Sequence, residues 1–313
     1  MKLLRGSQVL EGPHQATVVT VGNFDGVHLG HQQLLRALKS YADAHQLATA
    51  VVLFEPQPKE FFMGADAPPR ISTLRDKLMV LQALGIDWVW VVRFNSAFAN
   101  QSPEDFIHRY LCAGLRAQHV VVGDDFRFGR QRLGDLALLK AVGAHQGFSA
   151  EGTDSFIAAD QRVSSTAVRT ALSDGNFRLA ETLLGRPYAL TGRVIHGQRL
   201  GRKLGFPTAN IGLGPQRRAV NGVYSVWAWV DGHGERIAGV ANVGVKPSFS
   251  HLAPLLEVHL LDTQLDLYGH TLTVEFVQKI RDARKFAALI DLQTQIQKDT
   301  ETARAQLTRQ RND

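Results

Sequence analysis

Between residues 17 and 150 the chain alternates short β-branched runs with amphipathic stretches, and past residue 186 the alternation stops. Thr17–Val21, Thr49–Phe54, Trp88–Phe94 and His119–Gly123 read as strands, with helices over His31–His45, Leu74–Leu84 and Pro103–Ala113 between them. Strands joined by helical stretches form βαβ units, and βαβ units make a parallel sheet. Ser102-Pro103-Glu104-Asp105 strengthens the third helix, because it offers a hydroxyl cap, a proline where its missing N–H is harmless, and acids facing the helix dipole. After residue 186, glycine turns separate the strand-like runs Tyr188–His196, Gly222–Val230, Arg236–Val243, Leu255–Leu261 and Thr271–Val277. Asp231-Gly232-His233-Gly234 reads as a hairpin turn, and the pattern predicts a small antiparallel barrel. Phe286, Leu289, Ile290, Ile296, Ala303 and Leu307 then trace one face of a closing helix. The expected fold class is α/β, with a parallel-sheet domain over residues 1–185 and an antiparallel β-barrel domain over residues 186–313.

The length of 313 residues suits two domains. With 44% hydrophobic and 20% charged residues, the chain can fill packed cores and is too apolar for disorder. Cys112 is the single cysteine, which excludes a disulfide or a multi-cysteine zinc site within the chain. No apolar run reaches the roughly 18 residues a membrane helix needs, and Met1-Lys2-Leu3-Leu4-Arg5-Gly6 turns polar too soon for a secretory signal. A cytoplasmic protein without a membrane partner is expected. The net charge of +6 arises entirely beyond residue 185, since residues 1–185 carry 18 basic and 18 acidic side chains. Residues 186–250 hold nine Lys/Arg against Asp231 and Glu235, a field that attracts the phosphates of a nucleotide or of a nucleic acid. A solvated basic face is the plainer alternative.

Gly22-Asn23-Phe24-Asp25-Gly26-Val27-His28-Leu29-Gly30-His31 follows the first strand and opens the first helix. Free N–H groups and the helix dipole favour an anion there, and His28 and His31, three residues apart, can donate to the α- and β-phosphates of a nucleotide. Asp25, His28 and His31 as metal ligands are a competing reading that lacks a fourth donor. Neither a Walker A motif nor a Gly-x-Gly-x-x-Gly fingerprint occurs. In Gly123-Asp124-Asp125-Phe126-Arg127-Phe128-Gly129, Asp125, Phe126 and Phe128 suit a planar ring, or the two phenylalanines plug the core. Ser164, Ser165 and Thr166, with Arg169 behind them, form a phosphate-ready helix start or an ordinary capped helix.

In the second half, Gly197–Asn210 contains Gly201, Lys203, Gly205 and Pro207, a set able to wrap a polyphosphate, unless it is only a basic surface hairpin. Thr208 and Asn210 add neutral oxygens that suit Mg²⁺ arriving with phosphates. Glu257 lies in the apolar run Leu255–Leu260, where an unpaired carboxylate is costly, so it is either satisfied structurally or performs chemistry as a general base.

The His28-Leu29-Gly30-His31 element resembles the nucleotidylyltransferase superfamily. The order of all these segments, from Gly22–His28 through Asp125–Gly129, Gly205–Asn210 and Leu256–His259 to Ile280-Arg281-Asp282, resembles the bacterial bifunctional riboflavin kinase/FAD synthetase family. That resemblance implies a Rossmann-like FMN adenylyltransferase domain followed by a riboflavin kinase barrel. It implies ATP as co-substrate, Mg²⁺, and riboflavin, FMN and FAD as substrates and products. Position by position, it implies that Gly22, Phe24, Asp25, Gly30, Ser164, Ser165, Thr166 and Arg169 hold the nucleotide of the first site around His28 and His31. Asp125, Phe126 and Phe128 seat flavin or adenine. In the barrel, Gly201, Lys203, Gly205 and Pro207 border ATP, Thr208 and Asn210 hold Mg-ATP, Glu257 is the base, and Arg281 and Phe286 face the flavin. Two positions depart from the family pattern: Gln57 stands where histidine is usual, and Ser248 where threonine is common.

Two rivals remain at this level: an adenylyltransferase with another acceptor, and a nucleic-acid binder using residues 186–250. The Pro207-Thr208-Ala209-Asn210 step argues against the first, and a neutral first half carrying phosphate loops against the second. Small-molecule substrates, rather than a nucleic acid, are the expected partners.

Overall fold

The structure, a computed structural model, describes residues 1–6, 12–197, 201, 205–232, 234–247, 252–263 and 265–312. The candidate residues Lys203 and Ser248, and His233 of the hairpin turn, lie outside them. The chain divides into two compact units, Met1–Pro68 with Lys77–Ser164, and Pro69–Asp76 with Ser165–Asp313.

The first unit is built on a six-stranded parallel sheet of β1 (Lys2–Arg5), β2 (Thr17–Val21), β3 (Ala48–Glu55), β4 (Trp88–Arg93), β5 (Ala117–Gly123) and β6 (Ser149–Thr153), in the order β1-β4-β3-β2-β5-β6. Every residue of β2 is buried, as expected of a central parallel strand covered on both faces. Its helices include α1 (Leu29–His45), α2 (Pro58–Met63), α3 (Leu74–Ala83, whose first turn groups with the second unit), α4 (Ser96–Ala99), α5 (Pro103–Phe106) and α6 (Leu136–Gln146). Ser102 caps α5 as expected, its side chain accepting from the Asp105 N–H at 3.0 Å. The helix expected over Pro103–Ala113 changes winding partway, since Ile107–Gly114 forms a π-helix. The Leu115 N–H reaches back five residues to the Tyr110 carbonyl. This wider turn buries Ile107, Tyr110 and Leu111 together, with the Tyr110 ring 4.8 Å from Trp90. Past β6, a short hairpin of β7 (Ile157–Ala158) and β8 (Gln161–Arg162) leads to Ser164.

The second unit contains α7 (Ser165–Ser173), α8 (Phe177–Leu184) and a closed six-stranded antiparallel barrel. Its strands β9 (Ala189–Ile195), β10 (Ala209–Gly212), β11 (Gly222–Val230), β12 (Ile237–Pro247), β13 (Leu252–Leu260) and β14 (Thr271–Arg281) run around the wall as β10-β13-β12-β11-β14-β9. Helix α9 (Leu289–Asn312) packs on it through Ala303 and Leu307, which are almost completely buried. Strand β10 was not expected from sequence; its four residues close the barrel by pairing with β13 and β9. Residues 69–76 also belong to this unit. Asp76 accepts the Thr191 N–H at 2.8 Å and both the N–H and hydroxyl of Thr73, and the Tyr188 hydroxyl donates to the Ile71 carbonyl. Burial pushes the Asp76 carboxyl above its ordinary range, against the pull of these donors and of Arg218.

Candidate active sites

Strand order positions the first site. The sheet turns at β2, with β3 and β4 on one side and β5 and β6 on the other, and β2 pairs with β5 through Val18↔His119 and Val19↔Val120. The crevice beyond the carboxyl ends of strands at such a switch point is where open α/β sheets bind ligands. The two segments that leave it are Gly22–His31 after β2 and Asp124–Gly129 after β5. The first is tightly folded: Phe24, Gly26 and Val27 have φ of 47°, 83° and 42°. Buried Lys77 donates to the Asn23 carbonyl at 2.5 Å, fixing the loop from below.

His28 is the N-cap of α1, its Nδ1 accepting the His31 N–H at 3.3 Å, which leaves Nε2 as the protonated nitrogen of the neutral ring. The two imidazoles stack with centroids 3.6 Å apart, and Phe24 packs 4.9 Å from His31. At Gly30 a Cβ would press on the His28 ring and on the Val163 carbonyl, both at 3.3 Å, so glycine lets the chain leading into Ser164 approach the histidine pair. Asp25 is buried within this loop. Ser164 closes the first unit; Ser165 and Thr166 begin α7, and the Arg169 Nε donates to the Pro69 carbonyl at 2.7 Å.

Phe126 and Phe128 stack at 5.3 Å, but their environments differ. Phe128 is buried against Phe106, whereas Phe126 is half-buried and packs on the outside of the same core cluster. Arg162 lies 3.2 Å from Asp124 and 3.6 Å from Asp125, so the β7–β8 hairpin is held against this loop. The sequence reading missed Lys77 and an aromatic ladder that runs from Phe126 and Phe128 through Phe106, Phe98 and Phe94 to Phe62. Phe62 on α2 is 68% exposed beyond the ends of β3 and β4. An unbroken Phe61-Phe62-Met63 run is the only sequence signal that could have marked it. Gln57, the departing position, is buried as the N-cap of α2, with its N–H on the Glu60 carboxylate at 2.9 Å.

In the barrel, register assembles the second site. Glu257 on β13 lies directly opposite Asn210 on β10 and Asn242 on β12, so three polar residues form one row across three strands on one face. The Asn242 Nδ2 donates to Glu257 Oε2 at 3.1 Å, and the Asn210 Nδ2 faces the Thr208 carbonyl at 3.5 Å. Glu257 opens onto a cavity of about 330 Å³ that Thr208, Asn242, Arg281, Phe286 and Ile296 also line. A groove of about 670 Å³ adjoins it, bordered by Pro207, Thr208, Val258, Leu265 and Tyr268, and Thr208 belongs to both spaces. The His259 ring holds the Pro207 carbonyl at 2.8 Å and so anchors this turn. Gly201 is required sterically, because a Cβ there would stand 2.3 Å from the Phe206 carbonyl; Gly205 has φ of +86°.

Asp299 on α9, another residue the sequence reading missed, is 2% exposed and accepts from the Arg281 Nε and Nη2 at 3.0 and 2.8 Å. Arg281 and Arg284 lie 5.7 and 4.8 Å from the Phe286 ring. Charge-assisted bonds of this kind fix the guanidinium plane, so the cavity has a rigid cationic and aromatic wall. The structure therefore brings Glu257, Thr208, Asn210, Gly201, Pro207, Arg281 and Phe286 into one unit, as His28, His31, Asp125 and Phe126 are gathered in the other.

A switch-point crevice and a barrel cavity lined by Glu257 and by the Arg281-bound Asp299 define a two-site transferase. Comparison with known proteins agrees. The family described as FAD synthetase matches residues 11–167, and riboflavin kinase matches residues 184–307. The bifunctional riboflavin kinase/FMN adenylyltransferases of Haemophilus influenzae and Escherichia coli K12 are each 47% identical to the chain, over 97% of its length and over 99% and 97% of theirs. The chain belongs to the bifunctional riboflavin kinase/FMN adenylyltransferase family. A solved Streptococcus pneumoniae protein described as a macrolide-efflux protein has a TM-score of 0.75 and 29% identity, covering 96% of this chain and 98% of its own. Among the described residues of the present chain, no helix is long and apolar enough to cross a membrane.

Proposed function

We propose that the two transfers of this family, phosphorylation of riboflavin to FMN and adenylylation of FMN to FAD, are divided here between the two halves of the chain, with adenylyl transfer in residues 1–185 and the kinase in residues 186–313. The observation that carries the kinase assignment is Glu257 opening onto a cavity that shares Thr208 with the neighbouring groove. Riboflavin occupies the cavity, its ring against Phe286 and Arg281, and ATP the groove, so that the ribityl 5′-hydroxyl meets the γ-phosphate beside Thr208. Glu257 accepts the hydroxyl proton as that oxygen attacks the γ-phosphorus and ADP leaves. Lys203 and Gly205 border ATP in this reading, and Gly201 leaves room for the Phe206 carbonyl.

The residues present fit Mg²⁺ that arrives with ATP. Thr208 and Asn210 supply neutral oxygens beside one carboxylate, which suits an ion that keeps waters and takes most of its ligands from phosphate. Among the described residues, no group of three or more His, Cys, Asp or Glu side chains is placed to hold a metal ion, Asp25 with His28 and His31 included. Bound with ATP, Mg²⁺ would neutralise charge on the transferring phosphate.

At the other site an FMN phosphate oxygen attacks the α-phosphorus of ATP and pyrophosphate leaves. His28 and His31 donate to the phosphates as charge builds, and the Gly22–Gly30 backbone and Ser164 hold the triphosphate. Phe126 gives the flavin a stacking face, backed by Phe128, with Phe62 and Asp125 at the rim. No covalent enzyme intermediate is needed. Phe126→Ala is expected to raise the KM for FMN about 10-fold, by loss of about 1 to 1.5 kcal/mol of ring contact, while riboflavin phosphorylation is unchanged. Steady-state kinetics with FMN and with riboflavin check this, and an unchanged KM for FMN would remove Phe126 from the flavin seat. ATP and flavin substrates support a cytoplasmic location, with small molecules rather than nucleic acids as partners.

A further inference from the structure

Glu257 has to present its carboxylate to a hydroxyl in a defined direction, yet the terminal torsion of a glutamate side chain is broad and two-fold. Something must fix it. Asn242 lies directly across the β12–β13 ladder from Glu257, where facing Cβ atoms stand about 5 Å apart, and its amide meets Glu257 Oε2 at 3.1 Å. Both side chains line the same cavity. From this geometry we infer that Asn242 is a positioning residue for the kinase step: its amide N–H holds one carboxylate oxygen of Glu257, sets the plane of the carboxylate, and so directs the base at the ribityl hydroxyl. The inference rests on Glu257 being the base.

The residue type follows from the task. An amide donates without changing its own charge, while aspartate at this position would set two carboxylates opposite one another on neighbouring strands, a destabilising arrangement. Serine is too short to span the ladder with its hydroxyl. Asn210, on the other flank of Glu257, is turned to the Thr208 carbonyl, so the row divides its work: one amide on the base, the other on the phosphate-side turn.

N242A and the isosteric N242D are the test, each measured alone and in combination with E257Q. Either single variant should lower kcat for riboflavin phosphorylation about 10- to 100-fold, the range for misdirecting a base, with KM for riboflavin and ATP within about 3-fold of the parent. Conversion of supplied FMN to FAD should be unaffected. Because Asn242 acts through Glu257, adding N242A to E257Q should change the residual rate by less than about 2-fold. Full kcat in N242D would show that Asn242 only fills space, and a loss confined to KM would make it pocket wall; either outcome overturns the inference. The same holds if the two losses multiply in the double variant. N242S, uncharged and too short to reach Glu257, carries the test if N242A or N242D does not fold. Should E257Q itself retain full kinase activity, the base assignment fails, a result distinct from intact N242 variants beside an inactive E257Q.

Discussion

Replacing Glu257 with glutamine is expected to cut FMN formation from riboflavin and ATP about 10²- to 10⁴-fold, the usual contribution of a positioned general base. Glutamine retains the shape and an oxygen able to accept the Asn242 N–H, so the barrel wall is preserved while the proton acceptor is lost. The loss should therefore fall on kcat, with riboflavin binding, followed by fluorescence quenching, close to that of the parent. FMN supplied directly should still become FAD, because that transfer is assigned to the other half. If E257Q phosphorylates riboflavin at the parental rate, another group takes the proton.

His31→Ala is expected to give the mirror image, with FAD formation from supplied FMN falling about 10²- to 10³-fold, as when a donor to developing phosphate charge is removed, while riboflavin kinase activity persists. His31 is a cleaner probe than His28. Through its Nδ1, His28 also caps α1, and removing a cap costs about 0.5 to 2 kcal/mol of helix stability in addition to any catalytic effect. The 3.6 Å ring stack means that truncating His31 also frees one face of His28, so the loss includes some misplacement of its neighbour. Parental FAD formation in His31→Ala would exclude the histidine pair from the reaction.

Much of this architecture is legible in sequence because its signals are local. Thr17–Val21 is an unbroken β-branched run, which favours a buried strand, and Ser102-Pro103-Glu104-Asp105 announces a helix start without tertiary information. Other elements depend on contacts far away in the chain. β10 has four residues and sits inside a glycine-rich motif, so its strand character appears only when β13 and β9 pair with it. The π-winding of Ile107–Gly114 follows from packing on Trp90, since its apolar spacing reads as an ordinary helix. Residues 69–73 look like a loop before α3, yet with the first turn of that helix they belong with the barrel unit through Asp76 and Thr191, 115 positions apart.

The sites divide in the same way. His28, Gly30, His31 and the Thr208–Asn210 turn announce themselves because one short segment carries the whole constellation. Asn242, Asp299 and Lys77 do not, since each acquires its meaning from a partner: Glu257 through strand register, Arg281 across the cavity wall, and the Asn23 carbonyl at the end of a buried amine. Phe126 and Phe128 fall between these cases. Sequence left both as ring-stacking or as core, and the structure buries Phe128 in the core while Phe126 packs half-buried on the same cluster.

On this reading one chain performs both transfers in sequence from two constellations. The most direct test incubates the purified chain with riboflavin, ATP and Mg²⁺ and resolves riboflavin, FMN and FAD by chromatography over time. FMN should rise first and then be consumed as FAD and pyrophosphate accumulate. Riboflavin left untouched would contradict the barrel assignment, and FMN that accumulates while supplied FMN is also left unconverted would contradict the assignment of His28 and His31.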